Sequence, residues 1–403
     1  MRIGINGRFL MTKQTGVQRA AFNMVSTLVK VDRQNEYIIF TGKIEAEKNE
    51  WNYSNVTVVT SDLRSGETLR NVLWEQFTLP SLAKKYKVDL LHSPANMAPL
   101  FYKRKSVIHI HDLCFVVNPH WYSFAFRNWY RFVIPHIVCR ATKVVTNSNN
   151  SRNDLLQYCS LSADKVSLVY WAVDDSFLQK AADRGEKIDR PRKDYILYVG
   201  SLEPRKNIKL LVEAYGLLRK QHPELKTKLV LIGGESPLFA DFSLTIKEYK
   251  EDVILKGFVA ESVLREYYRD ANLVVYPSLY EGFGLPPLEA MASGTPVVTS
   301  HNSSLPEVVG DAAVTVESNS VGQLHRAIYQ VITDQKLRDQ LITKGYDRVA
   351  HFSWNRVARN ILTIYHQVYF GDYISFDSWK VLPSLTGQVT PAECSPEGLC
   401  KED

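Results

Sequence analysis

Short runs of β-branched and other apolar residues alternate along the chain with segments whose apolar positions recur every three to four residues. In the first half the runs predict strands at Arg2–Gly7, Glu36–Thr41, Thr57–Thr60, Leu90–Ser93, Ser106–His111, Lys143–Asn147 and Val166–Val169. Helical spacing fills the gaps, as in Val17–Val31, Thr68–Tyr86 and Asn153–Cys159. Such alternation predicts an α/β fold with parallel sheets. A charged stretch poor in apolar residues, 179–194, breaks the pattern and reads as a linker. The alternation then restarts with strands at Tyr195–Val199, Lys228–Ile232, Val253–Lys256, Leu273–Tyr276 and Pro296–Thr299 and helices at Asn207–Gln221, Ala260–Asp270 and Pro287–Ser293. The expected organisation is a first domain over 1–178, the linker 179–194 and a second domain over 195–354. A final helix within 355–371 and a partly disordered tail over 372–403, with Pro383, Pro391 and Pro396, complete it.

Composition narrows the class. The 403 residues suit two domains. With 45% hydrophobic and 23% charged residues the chain is neither disordered nor collagen-like. Its apolar runs, such as Leu229–Ile232, fall far short of the ~20 residues a membrane span needs. Met1–Asn6 reads as a first strand and not as a signal peptide, so the expected location is cytoplasmic. Five cysteines, Cys114, Cys139, Cys159, Cys394 and Cys400, have no C-x-x-C spacing and predict free thiols, not a metal site. Charge is uneven: residues 1–180 hold 23 Lys and Arg against 14 Asp and Glu, the remainder 26 against 29. A basic first half suits an anionic membrane surface or a phosphorylated ligand, and no nucleic-acid partner is expected.

The richest chemistry lies in 276–298. A strand ends, a loop carries Gly282 and Gly284, and Pro286-Pro287 stand where the first turn of a helix tolerates proline. Unpaired loop amides and the helix dipole make a site for a diphosphate. Glu281 and Glu289 flank it, and a carboxylate accepts paired hydrogen bonds from vicinal hydroxyls, so a sugar at one end and a ribose at the other would fit. Upstream, Arg205-Lys206 at a strand-to-helix turn make a phosphate clamp.

The glutamate spacing, with Gly282-Phe283-Gly284-Leu285 between and Ala290–Val298 after, resembles the E-x7-E region of family 4 retaining glycosyltransferases. The resemblance spans about residues 1–370. It implies the GT-B fold, two Rossmann-like α/β/α domains facing a cleft, the first on the acceptor side and the second binding the nucleotide sugar, with a C-terminal helix crossing back to brace the first domain. It implies that Glu281 faces the donor sugar, that Glu289 binds ribose hydroxyls, and that Gly282, Phe283, Gly284 and Leu285 contact sugar and phosphate. Lys206 takes the family's diphosphate-binding lysine; the arginine many members carry after the glycine is Ser201 here, which leaves Arg205 as the second cation. Gly16, in Thr15–Arg19, matches the family's glycine loop. His111, in a strand ending His111-Asp112, matches its sugar-side histidine. Tyr170–Asp174 matches the turn into the linker in part, with Asp174 as a turn cap, and Phe352–Trp354 resembles the lead into the last helix.

A dehydrogenase would show G-x-G-x-x-G after a strand, and Gly4–Arg8 lacks the third glycine. A GT-B sugar-nucleotide epimerase would show donor turnover without transfer to an acceptor. A non-catalytic sugar-nucleotide module would bind donor tightly and do no chemistry. No D-x-D occurs in the sequence, so no metal and no cofactor beyond the donor are expected. The Gln18-Arg19 loop, Trp74-Glu75-Gln76 and Glu203–Lys206 look most like bacterial polysaccharide-assembly mannosyltransferases. GDP-mannose is the expected donor, UDP- and dTDP-sugars stay open, and the base is expected near Gly257-Phe258-Val259. The expected partner is a glycan or lipid-linked glycan acceptor. Residues 101–140 join Lys103, Arg104, Lys105, Arg127, Arg131 and Arg140 to the aromatics Trp121, Tyr122, Phe124, Phe126, Trp129, Tyr130 and Phe132, a composition suited to peripheral membrane contact.

Overall fold

The computed structural model describes residues 1–11, 16–43, 51–64, 66–178, 192–234, 249 and 251–371. Most of the expected linker and the whole expected tail lie outside them. Two all-parallel sheets result. The first holds β1 (Arg2–Asn6), β2 (Glu36–Thr41), β3 (Val56–Thr60), β4 (Leu90–Ser93), β5 (Ser106–His109), β6 (Lys143–Thr146) and β7 (Val166–Leu168) in the order 3-2-1-4-5-6-7. The second holds β8 (Tyr195–Val199), β9 (Lys228–Ile232), β10 (Val253–Gly257), β11 (Leu273–Tyr276), β12 (Val297–Ser300) and β13 (Val314–Val316) in the order 10-9-8-11-12-13. Strands covered by helices on both faces read as unbroken apolar runs, and Leu273–Tyr276 is buried throughout.

Strand order reverses between β1 and β4 and again between β8 and β11. Ligands of open α/β sheets bind outside the carboxyl ends of the strands at such reversals. The expected site residues Arg205, Lys206 and Glu281 follow β8 and β11, so the second reversal is where they lie.

The helix Gly16–Val31 buries Ala20, Ala21, Met24, Val25, Leu28 and Val29, a single stripe at helical spacing. Against it packs the last helix, Trp354–Phe370, capped by Ser353, whose hydroxyl accepts from the Arg356 amide at 3.3 Å. Tyr365 on that helix lies 2.5 Å from His92 Nδ1 in β4, and Lys105 donates to the Tyr369 carbonyl at 2.5 Å. The last described helix is thus fastened to the first sheet, as the GT-B resemblance implies.

Several elements depart from the sequence reading. Strand β13 and the helices Val321–Thr333 and Gln335–Val349 are not among the expected ones, and β5 ends at His109, two residues short of His111. The long helix expected over Thr68–Tyr86 is broken by a π-helical segment, Trp74–Thr78, which lets Glu75 turn inward. The helix expected from Asn153 starts at Asn149, where Ser148 caps it. An aromatic helix, Phe124–Arg140, runs through Pro135 where the apolar pattern predicts none, because its half-exposed face has a weak period. The three described cysteines are free thiols.

Candidate active site

Beyond β11 the chain turns through 277–284 into the helix Leu285–Ala292. Gly284 sits at φ +110°, a conformation costly for any residue with a Cβ, and so aims the helix N-terminus back over the loop. Glu281 is buried there. Its Oε1 accepts from Lys206 Nζ at 2.5 Å and its Oε2 from Arg205 Nη1 at 3.3 Å. Lys206 also donates to the Tyr276 hydroxyl at 2.7 Å, and Arg205 Nε to Glu203 at 2.8 Å. Burial alone would raise the Glu281 pKa, but the two cations hold it at about 2. Burial and the neighbouring Arg205 lower that of Lys206, with Glu281 opposing them. Two cations and two carboxylates therefore form one closed cluster at the reversal of the second sheet.

Glu289 is also buried, one and a half turns into the helix. The Tyr268 hydroxyl donates to it at 2.8 Å, and Arg19 Nη2 from the first domain stands 3.7 Å from both Glu289 and Glu261. Burial raises the Glu289 pKa while Arg19 and Tyr268 pull it down. Arg19 is thus a bridge between the domains.

His111 supplies the opposite wall. Its amide donates to Asn96 and its Nε2 stands 3.0 Å from the Pro94 carbonyl. A carbonyl only accepts, so Nε2 is assigned the proton, and Nδ1 is left as a buried lone pair without a partner. Burial drops the His111 pKa to about 4, so the ring is neutral at physiological pH and accepts a hydrogen bond. Its carbonyl lies where a Cβ on Gly282 would stand at 2.4 Å, which demands glycine at the domain contact. The Ser151 hydroxyl lies 3.0 Å from the His111 carbonyl and 3.4 Å from that of Gly282, one from each domain.

The structure therefore brings together His111, Arg205, Lys206, Glu281, Gly282 and Gly284, with Glu289 a helix turn away. Leu285 opens the helix. Gly16 begins its own helix with open space where a side chain would be, but residues 12–15 of the expected glycine loop lie outside the described residues. The Phe283 ring packs against Trp171, Tyr170 and Phe352 at the domain junction. Asp174 caps its turn through the Ser176 amide and also accepts from Asn23 at 3.0 Å.

Sequence reasoning missed Tyr268 and Glu307. Glu307 accepts from the Asn149 and Asn150 amides at 2.9 and 3.1 Å and from Tyr170 at 3.0 Å, capping a first-domain helix from the second domain. Neither residue carries a local signal, since both matter only through contacts 21 or more positions away.

Residues 14–177 match Glycosyltransferase Family 4 and residues 179–348 match Glycosyl transferases group 1. The O-antigen chain mannosyltransferase B of Escherichia coli is 30% identical over 290 residues, which cover 70% of this chain and 75% of that one. The chain belongs to the family 4 glycosyltransferases. The O-antigen chain mannosyltransferase RfbU of Salmonella typhimurium is 28% identical over 80% of this chain and 88% of its own. Sucrose-phosphate synthase from Thermosynechococcus elongatus superposes with a TM-score of 0.71 at 21% identity, covering 92% of this chain and 99% of that one. The two-sheet architecture of this glycosyltransferase is accordingly the GT-B fold.

Proposed function

We propose that this glycosyltransferase moves mannose from GDP-mannose, with retention at the anomeric carbon and without a divalent metal, onto a hydroxyl of a cell-surface polysaccharide acceptor. The O-antigen mannosyltransferases among its relatives support the sugar and the acceptor class. The observation that carries the reading is the Glu281–Lys206–Arg205 cluster held against His111 at the domain contact.

Lys206 has three N–H donors and Arg205 five, so both retain donors for a diphosphate beyond those given to Glu281 and Glu203. Together with the Leu285–Ala292 helix N-terminus they offset charge on the leaving group, in the manner of a preorganised oxyanion site. Glu281 orients the donor sugar, His111 Nδ1 accepts from one of its hydroxyls, and Glu289 accepts from the ribose. The acceptor oxygen forms its bond to the anomeric carbon on the face from which the diphosphate leaves. The bond to the diphosphate breaks, and a departing phosphate oxygen takes the acceptor proton. Thermal unfolding with a panel of GDP-, UDP- and dTDP-sugars tests the donor. GDP-mannose at 100 times its dissociation constant should add about 2.7 kcal/mol. Excess chelator should leave both protection and transfer intact. Protection by a UDP- or dTDP-sugar alone, or loss of transfer with EDTA and its rescue by Mg²⁺, would overturn the respective part.

We further propose a cytoplasmic enzyme held peripherally on anionic lipid. Among the described residues no helix is long and apolar enough to cross a membrane. The helix Phe124–Arg140 exposes Phe124, Trp129 and Phe132, and Arg127, Arg131 and Arg140 lie along it. Lys105 is turned away to the last helix, so Lys103, Arg104 and Arg131 are the cations to test. Each basic residue near such a surface contributes about 1 kcal/mol. The chain should sediment with anionic vesicles at low salt, and replacing those three by Gln should release it. A chain that stays in the supernatant rules out the membrane contact and leaves the transferase.

A further inference from the structure

The first sheet has its own reversal between β1 and β4, apart from the Arg205–Lys206–Glu281 cluster at the second. Asn6 closes β1, and its Nδ2 lies 3.3 Å from the Ser93 hydroxyl at the end of β4. The same amide donates to Glu75 Oε1 at 2.7 Å. Arg8, two residues on, donates to Glu75 Oε2 at 2.5 Å. A cavity of about 60 Å³ opens there, lined in part by Asn6, Arg8, Glu75 and Met97. Glu75 lies in the π-helical segment Trp74–Thr78, an irregularity common at functional sites. The carboxylate is 1% exposed and the guanidinium 18%. The next residue after Ser93 is Pro94, whose carbonyl fixes His111, so the cavity adjoins the donor-side wall through two consecutive residues.

We infer that the Arg8–Glu75 pair, in the domain that the GT-B resemblance puts on the acceptor side, selects an uncharged accepting sugar, with Arg8 donating hydrogen bonds to its hydroxyls. The inference rests on the glycosyltransferase reading. Glu75 is the positioning residue: buried, it fixes Arg8 and cancels its charge. Burial raises the Glu75 pKa, against Arg8 and the Asn6 hydrogen bond. An anionic acceptor that drew Arg8 away would strand a buried carboxylate, which is strongly unfavourable. Hydroxyls take only the donors that Glu75 leaves, and the pair stays intact.

The test uses the full chain, GDP-mannose, methyl α-mannobioside as the neutral acceptor, and the corresponding disaccharide ending in mannuronic acid. Arg8→Gln should raise KM for the neutral acceptor about tenfold, roughly one lost charged hydrogen bond, with donor affinity unchanged. Glu75→Gln should shift the kcat/KM ratio of anionic to neutral acceptor about tenfold towards the anion, because Arg8 is then uncompensated. Wild-type kinetics that favour the mannuronosyl acceptor, or an Arg8→Gln enzyme with an unchanged neutral-acceptor KM, overturn the inference. So does a folded Glu75→Gln enzyme with an unchanged ratio; should that variant not fold, Arg8→Gln decides alone. Transfer to neither acceptor despite donor binding overturns this inference and leaves donor recognition standing. Failure of any nucleotide sugar to bind sinks the functional reading itself.

Discussion

Glu281→Ala is expected to abolish transfer and to lower the stability of the folded chain by about 3–5 kcal/mol, the usual result of removing one partner of a buried ion pair. The loss has a structural origin, because Lys206 is enclosed with Glu281 and Tyr276 and the variant leaves its ammonium without a carboxylate. Adding Lys206→Met should restore folding while transfer stays absent, since both charges are then gone. The pH dependence follows from the depressed Glu281 pKa. Its folded-state value of about 2 lies below the ordinary 4.5, so its contribution is complete above about pH 4.5 and fades as the pH falls through 2. Urea unfolding of the parent, single and double variants reads the effect. A Glu281→Ala chain whose unfolding curve superimposes on the parent's would contradict the buried cluster.

The second large effect is expected at Glu289. Glu289→Ala should weaken nucleoside diphosphate binding by about 1.5–3 kcal/mol, the range for a hydrogen bond to a charged group. Calorimetric titration with GDP measures it. Two consequences follow inside the protein: the buried Tyr268 hydroxyl loses its acceptor, and Arg19 loses one of its carboxylate neighbours while Glu261 remains. Glu289→Gln retains an acceptor for Tyr268 and should lie between the parent and alanine. Unchanged GDP affinity with lost transfer would move Glu289 from the nucleotide to the sugar.

These two glutamates are legible in the sequence because their spacing is local. Eight residues of loop and helix fix where both stand, and the proline pair and glycines mark the turn that carries them. Strands are legible for a similar reason, since two-sided burial leaves unbroken apolar runs such as Leu273–Tyr276. The helix Phe124–Arg140 is not, because an exposed aromatic face hides its period. The packing of the Phe283 ring beside Trp171 at the domain junction is not legible either, since the partner is more than a hundred positions away. Nor does the sequence show that Arg19 reaches Glu289 or that Glu307 caps the Asn149–Tyr158 helix. Those contacts arise only when the domains meet, from residues 157 or more positions apart.

The cations of the Glu281 cluster are paired within the second domain itself. Arg205 and Lys206 lie close together in a buried site, where like charges repel strongly. Glu203 and Glu281 offset that repulsion and set both side chains in place before a diphosphate arrives. In the proposed reaction, diphosphate binding would exchange hydrogen bonds within a fixed frame and leave little reorganisation for the transition state.

Transfer from the face that the leaving group vacates is tested most directly by the anomeric configuration of the product. With GDP-α-mannose and a mannoside acceptor, NMR of the isolated product should show a new α-glycosidic bond. A β bond would mean attack from the opposite face. It would require a general base that the Glu281–Lys206–Arg205 cluster does not provide, and it would contradict the proposed retention.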